Sequence, residues 1–188
     1  MLTVATQAGA ENQQVGFGGE TLNLPKPEGL CEVANHGPNS ESFEFHAAFQ
    51  RKVKNKLLAL YEECLYLERV KIGTAESGPP EWLLVTAYNP NPDKEILYKN
   101  YSKQRFIEEV AKSMSNLDMD EIAKWAGDKS DQVLEDLSYN GKLALGKPID
   151  LGILDIGDAV YHGIISDLKV GNESFIIGAV FSYLLVNG

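Results

Sequence analysis

Residues 145–168 read LGKPIDLGILDIGDAVYHGIISDL, and their spacing decides the fold class. Apolar residues stand at Leu145, Ile149, Leu151, Ile153, Ile156, Val160, Tyr161, Ile164, Ile165 and Leu168, broken by turn residues. A helix would instead repeat them at i, i+3, i+4 and i+7. Gly157-Asp158, with Gly171-Asn172 downstream, supplies hairpin turn pairs. The stretch predicts an antiparallel meander. Phe175–Val186, rich in β-branched and aromatic residues, is expected as its last strand, and as a buried one.

Upstream the period is helical. Ser102 caps a predicted helix with Phe106, Ile107, Val110, Ala111 and Met114 inward. Asp118 with Glu121 three residues on opens another, through Ile122, Trp125 and Val133 to Leu137. Residues 81–88 form a strand closed by Asn89-Pro-Asn-Pro92. Leu57–Tyr61 suits a buried strand or a second helical piece, and the Lys54-Asn55-Lys56 stop of the helix before it favours the strand. That helix is capped by Ser40 or Ser42 and places Phe45, Ala48, Phe49 and Val53 on one face. Thr21–Leu24 is extended and Pro25 and Pro27 keep it so. Residues 1–20, rich in Gly, Gln, Asn and Ala, suggest a flexible arm, with Gly16-Phe-Gly-Gly19 as linker. The expectation is a single α+β domain over 21–188, an antiparallel sheet with two or three helices packed mainly on one face.

A chain of 188 residues can build a proper core. Its net charge of −10 and lack of any Lys/Arg run argue against nucleic acid, which demands a concentrated cationic face. Phe175–Val186 is too short and too interrupted to span a bilayer, so no direct membrane insertion is expected. Met1–Ala10 lacks the charged start and apolar core of an intact signal peptide.

No motif names a reaction, a metal or a cofactor. His36, His46 and His162 with two cysteines show no ligand spacing. Asp150, Asp155 and Asp158 lie along the meander, where a hydrolase would need two carboxylates facing across a cleft or Asp155 or Asp158 with His162, and turn residues on a solvated strand produce the same spacing. Cys64 with His162 or His46 would make a catalytic pair, but it follows two glutamates, which oppose thiolate formation and hence nucleophilic catalysis. Residues alone leave Cys31 and Cys64 as either a disulfide or two buried thiols.

Leu22-Asn-Leu-Pro25-Lys-Pro27-Glu-Gly29-Leu-Cys31, followed by Asn55-Lys-Leu57-Leu58-Ala59-Leu60-Tyr-Glu-Glu-Cys64, resembles a group of uncharacterised exported proteins of Gram-negative bacteria. Their pattern is LPxPxGYC, a helix, then LLAxFxxC; Leu30 stands where an aromatic is usual. Phe106-Ile107 and Leu151–Asp155 with Val160–Ile164 are similar to the group's downstream pattern. The resemblance implies an oxidising, periplasmic or secreted setting with the leader already removed, where a Cys31–Cys64 bridge persists. Such a bridge contributes roughly 3–4 kcal/mol on the chain-entropy estimate. Sequences of the group run further, so the domain is expected to stop short of a final hairpin partner. The resulting expectation is a non-enzymatic interaction or assembly domain for an envelope, secretion-system or host protein. Its candidate interaction strand carries Phe175, Ile177, Phe181 and Tyr183.

Overall fold

The computed structural model describes residues 13–24, 26–34, 37, 40–75, 78–91, 93–95, 102–139, 143–156, 159–170, 173–183 and 185. Four helices and nine strands lie among them, and every strand pair is antiparallel, so the fold is α+β with sheets more prominent than helices. The strands form three sheets rather than one. Where the sequence suggests a single domain over 21–188, the contacts divide the chain into two compact units, Met1–Ile96 and Leu97–Gly188. Each unit closes its own hydrogen-bonded sheets and buries its own side chains.

In the first unit, β1 (Gln13–Phe17) and β2 (Glu20–Leu24) pair as a hairpin. Gly18 and Gly19, both at positive φ, form its two-residue turn, the conformation that matches the twist of the flanking strands. This corrects the flexible-arm expectation for residues 13–20; residues 1–12 of that arm lie outside the described residues. Phe17 is buried, so the segment does contribute to a core.

The strands β3 (Leu30–Glu32), β4 (Asn55–Glu63) and β5 (Trp82–Tyr88) form the second sheet, with β4 central. Helix α1 (Ser40–Lys52) ends where Lys54 turns to positive φ, as the Lys-Asn-Lys stop suggests. Val53, expected on its inner face, lies beyond its end. Six successive residues of β4, Leu57 to Glu62, are buried, which requires cover on both faces of the strand. A bulge between Leu57 and Ala59 brings Leu57 and Leu60 to the same face. There they pack with Val33 and with Leu67 of α2 (Cys64–Lys71), while Phe43 and Ala47 of α1 close the cluster. Both helices therefore cover one face. On the other, the Tyr61 hydroxyl donates to Gln13 Oε1 of the hairpin at 2.6 Å.

The second unit opens with α3 (Lys103–Met114) and α4 (Met119–Asp136). Ser102 and Asp118 cap them as expected, accepting from Arg105 N and from Asp120 and Glu121 N. The expected meander follows as β6 (Leu143–Leu145), β7 (Ile149–Ile156), β8 (Val160–Val170) and β9 (Glu173–Tyr183). The turn pairs 157–158 and 171–172 lie outside the described residues, but the strands they join do pair. β8 is central: β6 and β7 follow one another along one edge, and β9 runs the full length of the other. Val160, His162 and Ser166 are buried on one face of β8, against α3. The alternate residues Tyr161, Ile165, Asp167 and Lys169 face outward.

Candidate functional site

Cys31 and Cys64 form a disulfide with Cα atoms 4.9 Å apart. Cys31 sits in β3 and Cys64 is the first residue of α2, whose N–H donates to Gly29 O at 3.0 Å. Gly29 adopts positive φ, so the glycine before the cysteine is the residue that lets the chain enter β3. The bridge packs on the cluster of Val33, Leu57, Leu60 and Leu67 and fastens two elements that share that core. The bridge thus has an apolar cluster on one side and the Glu62 position across the ladder from Cys31.

Glu62, directly across from Cys31, is a buried carboxylate not singled out by the sequence reading. Burial pushes its pKa up, and the Ser42 hydroxyl, donating to Oε1 at 2.6 Å, opposes that rise. Burial also raises the Tyr66 hydroxyl, with the Glu62 charge adding to it. His46 on α1 is driven down to about 4 by desolvation. The visible signal was an acidic pair, Glu62-Glu63, closing an apolar strand: alternation sends one of them inward.

Of the hydrolase constellation, the described residues Asp155 and His162 are not brought together. His162 is 2% exposed and its Nε2 lies 2.7 Å from Asp150 Oδ1, not near Asp155. Asp155 pairs across the ladder with Tyr161, on the face opposite His162, and is exposed. Asp158 lies outside the described residues. Asp150 Oδ1 also accepts from Gly152 N at 2.7 Å, where positive φ at Gly152 accompanies a bulge. The carboxylate thus completes the hydrogen bonding of a buried imidazole and an irregular turn of strand.

Two bulges in β7, between Asp150 and Gly152 and between Ile153 and Asp155, set Leu151 and Leu154 over Gly163 on the outer face. A Cβ at Gly163 would come within 3.0 Å of Leu154 Cδ1, so the glycine gives the leucines room to lie flat.

β9 is different in kind. It makes eleven successive pairs with β8 and no bulge interrupts them. Among the described residues it pairs with no other strand, and none of them covers its far edge as a strand. Expected as a buried strand, it is exposed: Ile176 at 79%, Val180 at 64%, Phe181 at 43% and Phe175 at 37%. Ile176 and Val180 stand on the outer face, which is open even over the central strand, where Tyr161 and Ile165 are exposed too; Phe175 and Phe181 lie on the other face, at the rim of the sheet. Phe175, Ile177, Phe181 and Tyr183 share the face of β8 that carries His162, and Phe181 and Tyr183 stack 6.5 Å apart. Ile176 and Val180 project from the opposite, outer face.

No helix among the described residues is long and apolar enough to cross a membrane. Nor do the described residues bring three His, Cys, Asp or Glu together where they could hold a metal ion. A shallow depression lined by Asn116–Asp120 and Lys147 is open to solvent, with Lys147 and Asp120 paired across it at 3.1 Å. No protein-family model, curated protein or solved structure matches the chain.

Proposed function

We propose that the chain is an exported, non-enzymatic interaction domain of the periplasm or extracellular space that engages a protein partner through the free edge of β9. The observation that carries this reading is the edge itself. Soluble proteins blunt an exposed edge with lysine, proline, a bulge or a covering element. Between its first residue, Glu173, and its last, Tyr183, β9 carries no charge, proline or bulge. An extended segment of a partner would gain main-chain hydrogen bonds along that edge and place alternate side chains against the Phe175–Phe181 and Ile176–Val180 faces. The Cys31–Cys64 bridge supports the compartment, because disulfides persist where the redox poise is oxidising.

The test is site-specific photo-crosslinking in the native host. A photoreactive residue at Ile176 or Val180 is expected to trap a defined protein in the envelope or secreted fraction, whereas one at the exposed Glu41 of α1 is not. Equal trapping at all three positions, or none at β9, would defeat the reading.

A further inference from the structure

We infer that the partner of β9 is a second copy of the chain, paired antiparallel across a two-fold axis at Gly178. This rests on the interaction reading above and names its occupant.

The order of residues along the edge favours a second copy. Residues 174–182 read SFIIGAVFS, nearly the same in both directions about Gly178. Ser174 answers Ser182, Phe175 answers Phe181, Ile176 answers Val180, and Ile177 answers Ala179. A two-fold interface uses one patch twice, so it must be complementary to itself. Two antiparallel strands centred on the same residue meet that condition when the sequence is palindromic. Heterotypic binding makes no such demand.

In this pairing each Phe175 lies opposite Phe181 of the second copy, on the helix-covered side of the sheet. Each Ile176 lies opposite Val180 of the second copy, on the outer side. Aromatic and β-branched cross-strand pairs are the favourable ones in antiparallel ladders. Gly178 meets Gly178 on the axis, and nothing stands within 4 Å of the place a Cβ would occupy there. Charge also agrees. A chain of net charge −10 resists its own copy, and 174–182 is a charge-free stretch on which two copies can still meet. The product is one sheet running through both copies, with β9 no longer an edge.

The test uses the whole chain with Gly178→Cys, whose thiol is the only free one because Cys31 and Cys64 are bridged. Directly opposed antiparallel residues have Cα atoms about 4.5–5.5 Å apart, within disulfide reach. Mild copper-catalysed oxidation is expected to give a covalent dimer about tenfold faster than for Ser174→Cys, whose twin would lie about 27 Å away along the paired strands. Mixing S174C with S182C restores crosslinking, since those positions oppose each other.

A charge pair checks register independently of cysteine. I176K/V180K sets lysine against lysine and is expected to sediment as a monomer, while I176K/V180E sets lysine against glutamate and sediments as a dimer. Circular dichroism confirms that both variants are folded. The inference is overturned if the unmodified chain is monomeric at high micromolar concentration, or if S174C bridges as fast as G178C. A monomeric chain whose Ile176 still traps a different protein removes the second copy and leaves the interaction reading standing. A monomer that traps nothing removes both.

Discussion

Two titratable residues in the first unit pull stability in opposite directions with pH. His46 is held near 4 against an ordinary 6.5, so between those values the unfolded chain binds the proton and the fold does not. Stability is therefore lost as pH falls from 6.5 towards 4. Glu62 has the reverse linkage: burial raises its folded pKa above 4.5, so the fold holds the proton longer and stability is lost as pH rises through that raised value. In urea titrations across pH, His46→Phe should flatten the acid-side loss, and Glu62→Gln should raise the midpoint at pH 7 but not at pH 4. In the second unit, Asp150→Ala should cost about 1–3 kcal/mol, because it strands the buried His162 Nε2 and the Gly152 N–H. Asp150→Asn, which keeps an acceptor, should cost less in the same assay. None of these partners was legible in the sequence. Glu62 and Ser42 are twenty residues apart, His162 and Asp150 twelve, and only register brings each pair together.

Elements were legible where local chemistry decides them. The two caps at Ser102 and Asp118, the Lys54 helix stop and the β-period after Gly141 follow from side chains acting on their own backbone. The β1–β2 hairpin was also written locally, in Gly18-Gly19, but the surrounding Gln, Asn and Ala read as a chain too polar to bury anything. What orders it is tertiary: Tyr61 bonds Gln13, Lys56 approaches the Phe17 ring, and Glu95 pairs with Lys56 and accepts from Gly18 N. The Cys31–Cys64 bridge adds a covalent tie between β3 and α2. Cys31→Ser/Cys64→Ser should lower stability by roughly 3–4 kcal/mol in denaturant unfolding, the loop-closure entropy it removes. Alkylation of the native protein without reductant should label neither cysteine, and labelling of both would sink the bridge.

At the scale of the molecule the two units carry one tryptophan each, Trp82 in the first and Trp125 in the second. Both are partly exposed, so single-tryptophan variants report each unit with little damage to a core. Because the disulfide lies wholly within Met1–Ile96, reductant should lower the unfolding midpoint seen by Trp82 more than that seen by Trp125. The α+β class, helices α1, α3 and α4, strands β4 and β5 and the antiparallel meander were determined by sequence alone, because periodicity, caps and turn pairs act over a few residues; α2 and the β1–β2 hairpin were not. Division into two units, the burial of Glu62 and His162, and the exposure of Phe175–Tyr183 were decided only in three dimensions. An apolar run carries no record of how many neighbours will cover it. Whether a face of β9 is covered depends on which elements pack over the sheet, and Ile176 and Val180 stand on the outer face that is open even over Tyr161 and Ile165 of the central strand.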